Sequence, residues 1–216
     1  MAGFRMHITT STVLGVGYGV GGYFLFNAPP EVCLLSFGLC SVSGMLPDID
    51  SDKGVPLRES MAFLAAVVPM FMIPRFQALE LSPEIMVLCA AGIYFAIRFG
   101  LTRFLQKYTV HRGMWHSIPA AAIAGLLTFL VVSGEDTNIR LFKAGAVVAG
   151  FLSHLILDEF YSLGVQGGKL KVKKSFGTAL KFWGKKGWGN ISVYAKLLLL
   201  IAVATGGPID VRFPQE

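Results

Sequence analysis

Apolar residues in this chain fall into long blocks that are separated by short polar breaks. A transmembrane helix needs about 20 mostly apolar residues, so blocks of this length indicate membrane-spanning helices. The pattern therefore predicts an all-α polytopic membrane protein of about six or seven helices. The blocks are 8–26, 32–46, 60–74, 84–105, 117–132, 141–158 and 191–205.

Prolines and glycines modify this picture in the first three blocks. The second and third blocks are short for a full span, and Pro47, Pro69 and Pro74 are expected to break or end them, so tilted or partly re-entrant helices are predicted there. The first block contains two overlapping pairs of small residues at the spacing that lets a neighbouring helix approach closely. These pairs are Gly15/Gly19 and Gly17/Gly21.

The composition agrees with a membrane protein. Of the 216 residues, 54% are hydrophobic and only 15% are charged, and the mean hydropathy is +0.61. These values exclude a disordered, collagenous or ordinary soluble protein, and we predict a single membrane domain over residues 1–216. The first block is longer than the apolar region of a signal peptide and has no Ala-x-Ala cleavage site, so we interpret it as an uncleaved first span.

The formal net charge of +6 predicts an orientation. If the N-terminus is inside and there are seven spans, the inside segments 1–7, 47–59, 98–116 and 159–190 hold fourteen of the nineteen Lys and Arg residues. Cytoplasmic loops are enriched in Lys and Arg, so we predict a cytoplasmic N-terminus and an outside C-terminus. Because the membrane face explains the basic charge, nucleic acid is not an expected partner.

Residues 159–190, which we call the Lys-rich segment, form the longest polar break and contain seven lysines together with Phe176, Phe182, Trp183 and Trp188. Aromatic side chains settle at the lipid headgroups, and lysines attract anionic lipids. We therefore predict an interfacial helix or loop on the cytoplasmic leaflet, with anionic membrane lipids as partners. It could serve only as an anchor, or it could guide an anionic lipid substrate to a site beneath it.

The residues that suggest chemistry all lie at or near the inside ends of the blocks. His154 and Asp158 are four residues apart and so share one face of the sixth helix. Four segments that are distant in sequence thus bring imidazole and carboxylate groups to one membrane depth. The histidines are His7, His111, His116 and His154, and the carboxylates on the same side are Asp48, Asp50 and Asp158.

Each of these features has a second interpretation when taken alone. His154 and Asp158 are as consistent with a buried hydrogen-bonded pair as with metal ligation. A single His7 is typical of an interface, and Asp48 with Asp50 is typical of a solvated turn. Their coincidence favours a metal site, because ionisable groups at membrane depth are costly and imidazole with carboxylate is the ligand mixture of zinc or another divalent metal.

Three motifs carry a resemblance to a known family: LPDIDSD at 46–52, HRGMWHS at 111–117 and SHLILDEF at 153–160, together with a histidine near the start of the chain. They resemble the YdjM family of membrane-bound metal-dependent hydrolases over residues 7–158. The resemblance implies a multi-pass inner-membrane protein and, more distantly, a link to the zinc-dependent phospholipase C and P1 nuclease group. The metal ligands that it implies are His7, Asp48, Asp50, His111, His116, His154 and Asp158.

The expected chemistry is metal-dependent hydrolysis at the cytoplasmic face. A divalent metal lowers the pKa of a water molecule and polarises a phosphoryl or acyl oxygen. Zinc is the favoured ion, with manganese or magnesium as alternatives, and seven candidate ligands would accommodate one to three ions. We predict an enzyme that hydrolyses a phosphoester, with lipids among the candidate substrates.

Two residues are candidates for catalytic roles beside the metal. Asp50 could take the proton from the water. Arg112 lies between two of the histidines and could stabilise a phosphate or the developing oxyanion, or it could only add to the positive charge of the inside face. Glu159 and Asp52 are expected to be solvated.

Two other classes of function remain open. The same ligands could form a binding station in a divalent-cation transporter, although such stations usually lie near the midplane between repeated halves and this sequence has no visible repeat. Alternatively, the chain could be a non-enzymatic membrane protein that binds a partner through its Lys-rich segment.

Overall fold

The computed structural model describes residues 3–50, 55–108, 114–134, 136–166, 169–172, 177, 179–184 and 187–206. A 3-10 helix (Leu46–Asp50) follows α2, a π-helical turn (Ala96–Leu101) joins α5 to α6, and two strands, β1 (Leu163–Gln166) and β2 (Lys169–Val172), form an antiparallel hairpin. The predicted all-α class is confirmed, with this short hairpin as an addition. The α-helices are α1 (Phe4–Phe26), α2 (Pro30–Ser43), α3 (Val55–Phe71), α4 (Ile73–Ala78), α5 (Pro83–Phe95), α6 (Thr102–Tyr108), α7 (Ile118–Val131), α8 (Thr137–Ser162) and α9 (Gly187–Gly206).

Each predicted block corresponds to a helical segment, but the third segment is longer than expected. Helices α3 and α4 together form one segment of 24 residues, Val55–Ala78. Pro69 lies inside α3, and Pro74 lies in the first turn of α4, where a missing N–H costs no helical hydrogen bond. The predicted break lies between these two prolines, since α3 ends at Phe71 and α4 begins at Ile73, but the helical segment continues beyond it.

Four helical segments in the described part of the chain are long and apolar enough to cross a membrane: Val55–Ala78, Pro83–Leu105, Thr137–Ser162 and Gly187–Gly206. Helices α2 and α7 are apolar but have only 14 residues each. Helix α1 has 23 residues but is not among these candidates, and its residues His7, Ser11, Gly15 and Gly19 are buried against neighbouring helices. The seven predicted spans thus divide into four full-length candidates and three helices that pack among them.

Helix α1 packs closely on α2 through one of the two predicted glycine pairs. A Cβ atom at Gly15 would lie 2.8 Å from the carbonyl oxygen of Phe37, and one at Gly19 would lie 3.1 Å from the carbonyl oxygen of Cys33. At Gly17, by contrast, a Cβ atom would meet nothing within 4 Å. The Gly15/Gly19 pair is therefore the contact face, because small residues let two helix backbones approach.

The helical segments alternate in direction, so several of their ends meet at one end of the bundle. There, Ile49 of the 3-10 helix packs with Leu57 of α3, and Leu46, Ile97 and Leu105 pack against them. The starts of α1, α3 and α7 and the ends of α2 and α8 all lie at this end. We call it the site end, because the candidate residues described below lie there.

The Lys-rich segment is also at the site end. Its first residues, 159–162, complete α8, and among the described residues after them no helix precedes Gly187. Its hairpin follows α8 directly, with Leu163 opposite Val172. Beyond the hairpin, the N–H of Ala179 donates to Glu159 at 3.4 Å and the carbonyl of Lys181 accepts from Ile118 at 3.2 Å. The segment therefore packs across the ends of α7 and α8, and the predicted alternatives of an interfacial helix or loop resolve to a hairpin and an irregular stretch.

Candidate metal centre

Five of the predicted ligands are described, and the fold brings all five together. His7 lies in the first turns of α1, Asp48 lies in the 3-10 helix after α2, and His116 lies just before α7. His154 and Asp158 lie near the end of α8. Four segments that are far apart in sequence thus contribute to one cluster.

The distances within this cluster are those of neighbouring metal ligands. His7 Nε2 lies 3.3 Å from Asp158 Oδ1, and His116 Nε2 lies 3.4 Å from Asp48 Oδ1. His154 Nε2 lies 3.6 Å from Asp48 Oδ1 and 3.7 Å from Asp158 Oδ2. In a tetrahedral zinc site with bonds of about 2.0–2.1 Å, ligand atoms lie roughly 3.3–3.4 Å apart, so small side-chain movements would suffice to close the cluster on an ion.

Two groups of three ligands can be distinguished, and His154 belongs to both. His7, His154 and Asp158 form one group, and Asp48, His116 and His154 form the other; within each group the ligand atoms lie within 4.8 Å of one another. One nitrogen of His154 is already engaged, because Nδ1 lies 2.8 Å from the carbonyl oxygen of Gly44. Only Nε2 of His154 is left to bind an ion, so the two groups share a single atom.

The hydrogen bond to Gly44 also determines the tautomer of His154. A carbonyl oxygen can only accept, so Nδ1 carries the proton and Nε2 of the neutral ring has a free lone pair. Within the described part of the chain, Nε2 has no hydrogen-bond partner, and it lies between two carboxylate groups that are themselves acceptors when ionised. A cation at this point would satisfy all three groups.

The cluster is shielded from solvent on all but one side. His7 is 2% exposed and His154 is 1% exposed, and His116 and Asp158 are also buried. The side chain of Asp48 is 22% exposed, so the cluster opens toward the 3-10 helix. Buried polar groups are costly unless they are paired, and this favours a cation among the acidic and imidazole groups.

Asp48 is ionised under ordinary conditions. Partial burial raises the pKa of its carboxyl group, but the hydrogen bond from His116 and the nearby imidazoles of His154, His116 and His7 outweigh burial and hold the pKa below its usual range. The open side of the cluster therefore presents a carboxylate, which is a suitable oxygen ligand or proton acceptor.

Contacts outside the cluster position the ligands. Trp115 Nε1 donates to the carbonyl oxygen of Leu46 at 2.7 Å and so ties the segment before α7 to the 3-10 helix. The hydroxyl of Ser117 caps α7 by accepting from the N–H of Ala120 at 3.3 Å. The sequence did not predict that Trp115 and Gly44 position the ligands. The only sign for Trp115 was its place inside the HRGMWHS motif, and a sequence gives no sign of the partner of a backbone carbonyl such as that of Gly44.

The other residues that the sequence singled out lie either outside the described part of the chain or outside the cluster. His111 and Arg112 lie outside the described residues, as do Asp52 and the side chain of Asp50. Glu159, which we expected to be solvated, accepts hydrogen bonds from the N–H groups of Gly177 and Ala179, so it holds the Lys-rich segment against the end of α8.

Comparison with known protein families identifies the family to which this chain belongs. A family model described as YdjM inner membrane protein matches residues 5–206. The chain belongs to the YdjM inner membrane protein family. The YdjM match extends beyond the three motifs to include the Lys-rich segment and α9. No curated protein and no solved structure matches the chain, and the more distant link to phospholipase C and P1 nuclease stays a prediction.

Proposed function

We propose that this YdjM protein is a metal-dependent hydrolase of a phosphoester, with its reactive centre at one face of the membrane. The convergence of two imidazoles and two carboxylates, from four segments, on Nε2 of His154 carries the proposal. A mixture of nitrogen and oxygen ligands at these distances suits zinc best, with manganese and magnesium as alternatives.

Each residue of the cluster has a distinct part in holding the ion. His154 would be the common ligand, since its tautomer is set by Gly44. Asp158 lies next to both His7 and His154 and would balance the charge of the ion from the buried side. Asp48 and His116 would complete the site from the open side, where water would reach the ion because the side chain of Asp48 is 22% exposed.

When bound, the ion would lower the pKa of a water molecule and withdraw electrons from a phosphoryl oxygen. The protein must then accept a proton and stabilise negative charge. Asp50, two residues after Asp48, is the proposed acceptor of the proton. Arg112 is proposed to bind the phosphate through its guanidinium group.

We further propose that the site end faces the cytoplasm. Fourteen of the nineteen Lys and Arg residues lie in segments assigned to that side, and positive residues accumulate in cytoplasmic loops. Anionic membrane lipids are then the proposed partners of the Lys-rich segment.

A combined measurement of metal content and activity tests this proposal. The wild-type protein, purified in detergent without a histidine tag, should contain zinc, manganese or magnesium and should hydrolyse phosphomonoesters or phosphodiesters. His154→Ala and Asp158→Asn should each lose both the metal and the hydrolysis, because each removes a ligand from a site that acts as a unit.

Glu84→Gln is the matched control for Asp158→Asn. Glu84 is an exposed carboxylate in the first turn of α5, at the opposite end of the bundle, and its amide variant should retain metal and activity. A wild-type protein that holds no metal after purification, and takes up none on dialysis against zinc, would overturn the proposal.

A further inference from the structure

An open groove of about 420 Å³ lies between α1 and α8, next to the candidate metal centre. Thr10 and Leu14 of α1 form one wall, and residues 149–160 of α8 form the other. The lining is apolar except for the hydroxyls of Thr10 and Ser153, and the latter donates to the carbonyl of Gly150 in its own helix at 2.7 Å. Leu14, Ile156 and Phe160 remain exposed along the groove.

The groove adjoins the cluster at one end. Thr10 is one helical turn from His7 on α1, and Phe160 is two residues from Asp158 on α8. From there, the groove follows α8 back to Ala149, which is near the middle of this 26-residue helix. A molecule lying along the groove would therefore have one end at the metal centre.

The length and direction of the groove match one leaflet of a bilayer. Eleven residues separate Ala149 from Phe160, which corresponds to about 16 Å along a helix, and the hydrocarbon of one leaflet is about 15 Å thick. If α8 spans the bilayer, as its length and composition allow, the groove would run from the membrane face to the midplane and would face lipid tails.

The chain on either side of this end of the groove is rich in basic residues. Arg5 is exposed in the first turn of α1, and the Lys-rich segment, which begins in the last turn of α8, contains seven lysines in its sequence. Positive residues at the headgroup level attract anionic lipids, so the charged end and the apolar groove together suit an anionic lipid.

We propose that the groove between α1 and α8 binds one acyl chain of an anionic phospholipid, which is the substrate and whose phosphate reaches the metal centre from within the leaflet. This inference rests on the proposed function, since it names the substrate of the same site. The apolar lining binds the chain, and the position of His7 and Asp158 at the end of the groove places the ester bonds of the headgroup beside the cluster.

Photocrosslinking tests the groove independently of activity. The full-length protein is reconstituted in phosphatidylcholine nanodiscs that contain phosphatidylglycerol with a diazirine on one acyl chain, and labelled peptides are identified by mass spectrometry. We expect labelling to concentrate on residues 10–14 and 149–160. Leu14→Trp and Ile156→Trp should each lower this labelling by about tenfold. This is the loss of affinity expected when the groove no longer buries two methylene groups of the acyl chain.

The control is Leu198→Trp in α9, where the native side chain is 66% exposed and lies outside the groove, so this variant should label like the wild type. Both groove variants should retain their metal, since neither residue belongs to the cluster, and hydrolysis of long-chain phosphatidylglycerol should fall more than that of a soluble phosphoester. Labelling spread evenly over the helices, or unaffected by both groove variants, would overturn the inference.

The two proposals can fail separately. A protein that binds metal and hydrolyses soluble phosphoesters, but shows no labelling of the groove, would retain the hydrolase function and exclude the lipid substrate. Labelling of the groove in a protein that binds no metal would show a lipid site and would remove both the hydrolase function and the assignment of the lipid as substrate.

Discussion

The imidazole rings of His7 and His154 stack face to face, with centroids 3.6 Å apart and planes inclined by 12°, although the two residues lie far apart in the sequence. Both rings also belong to the candidate ligand group of His7, His154 and Asp158. The stack also ties the start of α1 to the end of α8. The same pair thus contributes both to packing and to the candidate metal centre.

Replacement of His7 by phenylalanine should separate these two contributions. His7→Phe keeps an aromatic ring against His154 but removes both nitrogens, so the fold should survive and zinc affinity should fall. In the wild type, zinc at one hundred times its Kd should raise the free energy of unfolding by about 2.7 kcal/mol. Thermal unfolding in detergent, after chelation and again after zinc addition, measures this difference; an equal zinc-induced shift in both proteins would show that His7 is not a ligand.

Loss of the Trp115 hydrogen bond should weaken the metal centre indirectly. Trp115→Phe leaves the carbonyl of Leu46 without its donor, which should cost about 1 kcal/mol of stability. It should also lower zinc affinity by roughly 10–100-fold, as is typical when a group that positions ligands is removed. Zinc titration with a competing chelator checks this value.

Trp188→Phe is the control for that experiment, because Trp188 is 80% exposed in α9. It should have no effect on zinc binding. If Trp115→Phe bound zinc as tightly as this control, the bond to Leu46 would have no part in positioning Asp48.

Alanine substitution at two glycines of α1 should give opposite results. Gly15→Ala places a methyl group 2.8 Å from the carbonyl of Phe37, and we expect a loss of about 1–3 kcal/mol of stability from overpacking. Gly17→Ala meets no neighbouring atom within 4 Å and should be neutral or stabilising by up to about 1 kcal/mol. Thermal unfolding of both variants in one detergent tests the pair, and equal stabilities would contradict the packing of α1 on α2.

Accessibility of single cysteines should reveal the orientation. In a variant without the native cysteines, a cysteine near Ser51 or Gly168 should be shielded from an impermeant reagent added to intact cells. A cysteine near Ser82 or Gly207 should react, because the excess of Lys and Arg places the other two positions inside. Reaction of Gly168→Cys and Ser82→Cys from the same side would show that the proposed orientation is wrong.

The sequence by itself was sufficient for the fold class and for most of the helix positions. Blocks of apolar residues of the length of a membrane span can form only helices or closed barrels in lipid, and their composition and length favoured helices. Pro69 and Pro74 marked a break correctly, since α3 ends at Phe71 and α4 begins at Ile73, but they gave no sign that the helical segment continues to Ala78. The hairpin after α8 also escaped prediction, since its lysine-rich strands resemble a solvated loop.

The sequence also identified the residue types of the metal centre, because histidines and aspartates in apolar surroundings are rare and costly. It could not tell which of seven candidates are close together, since that depends on how α1, α2, α7 and α8 pack. The tertiary structure brought His7, Asp48, His116, His154 and Asp158 together and showed that Gly44 occupies one nitrogen of His154. That hydrogen bond and the groove beside α8 depend on a backbone carbonyl and on the space between two helices, neither of which leaves a pattern in the order of side chains.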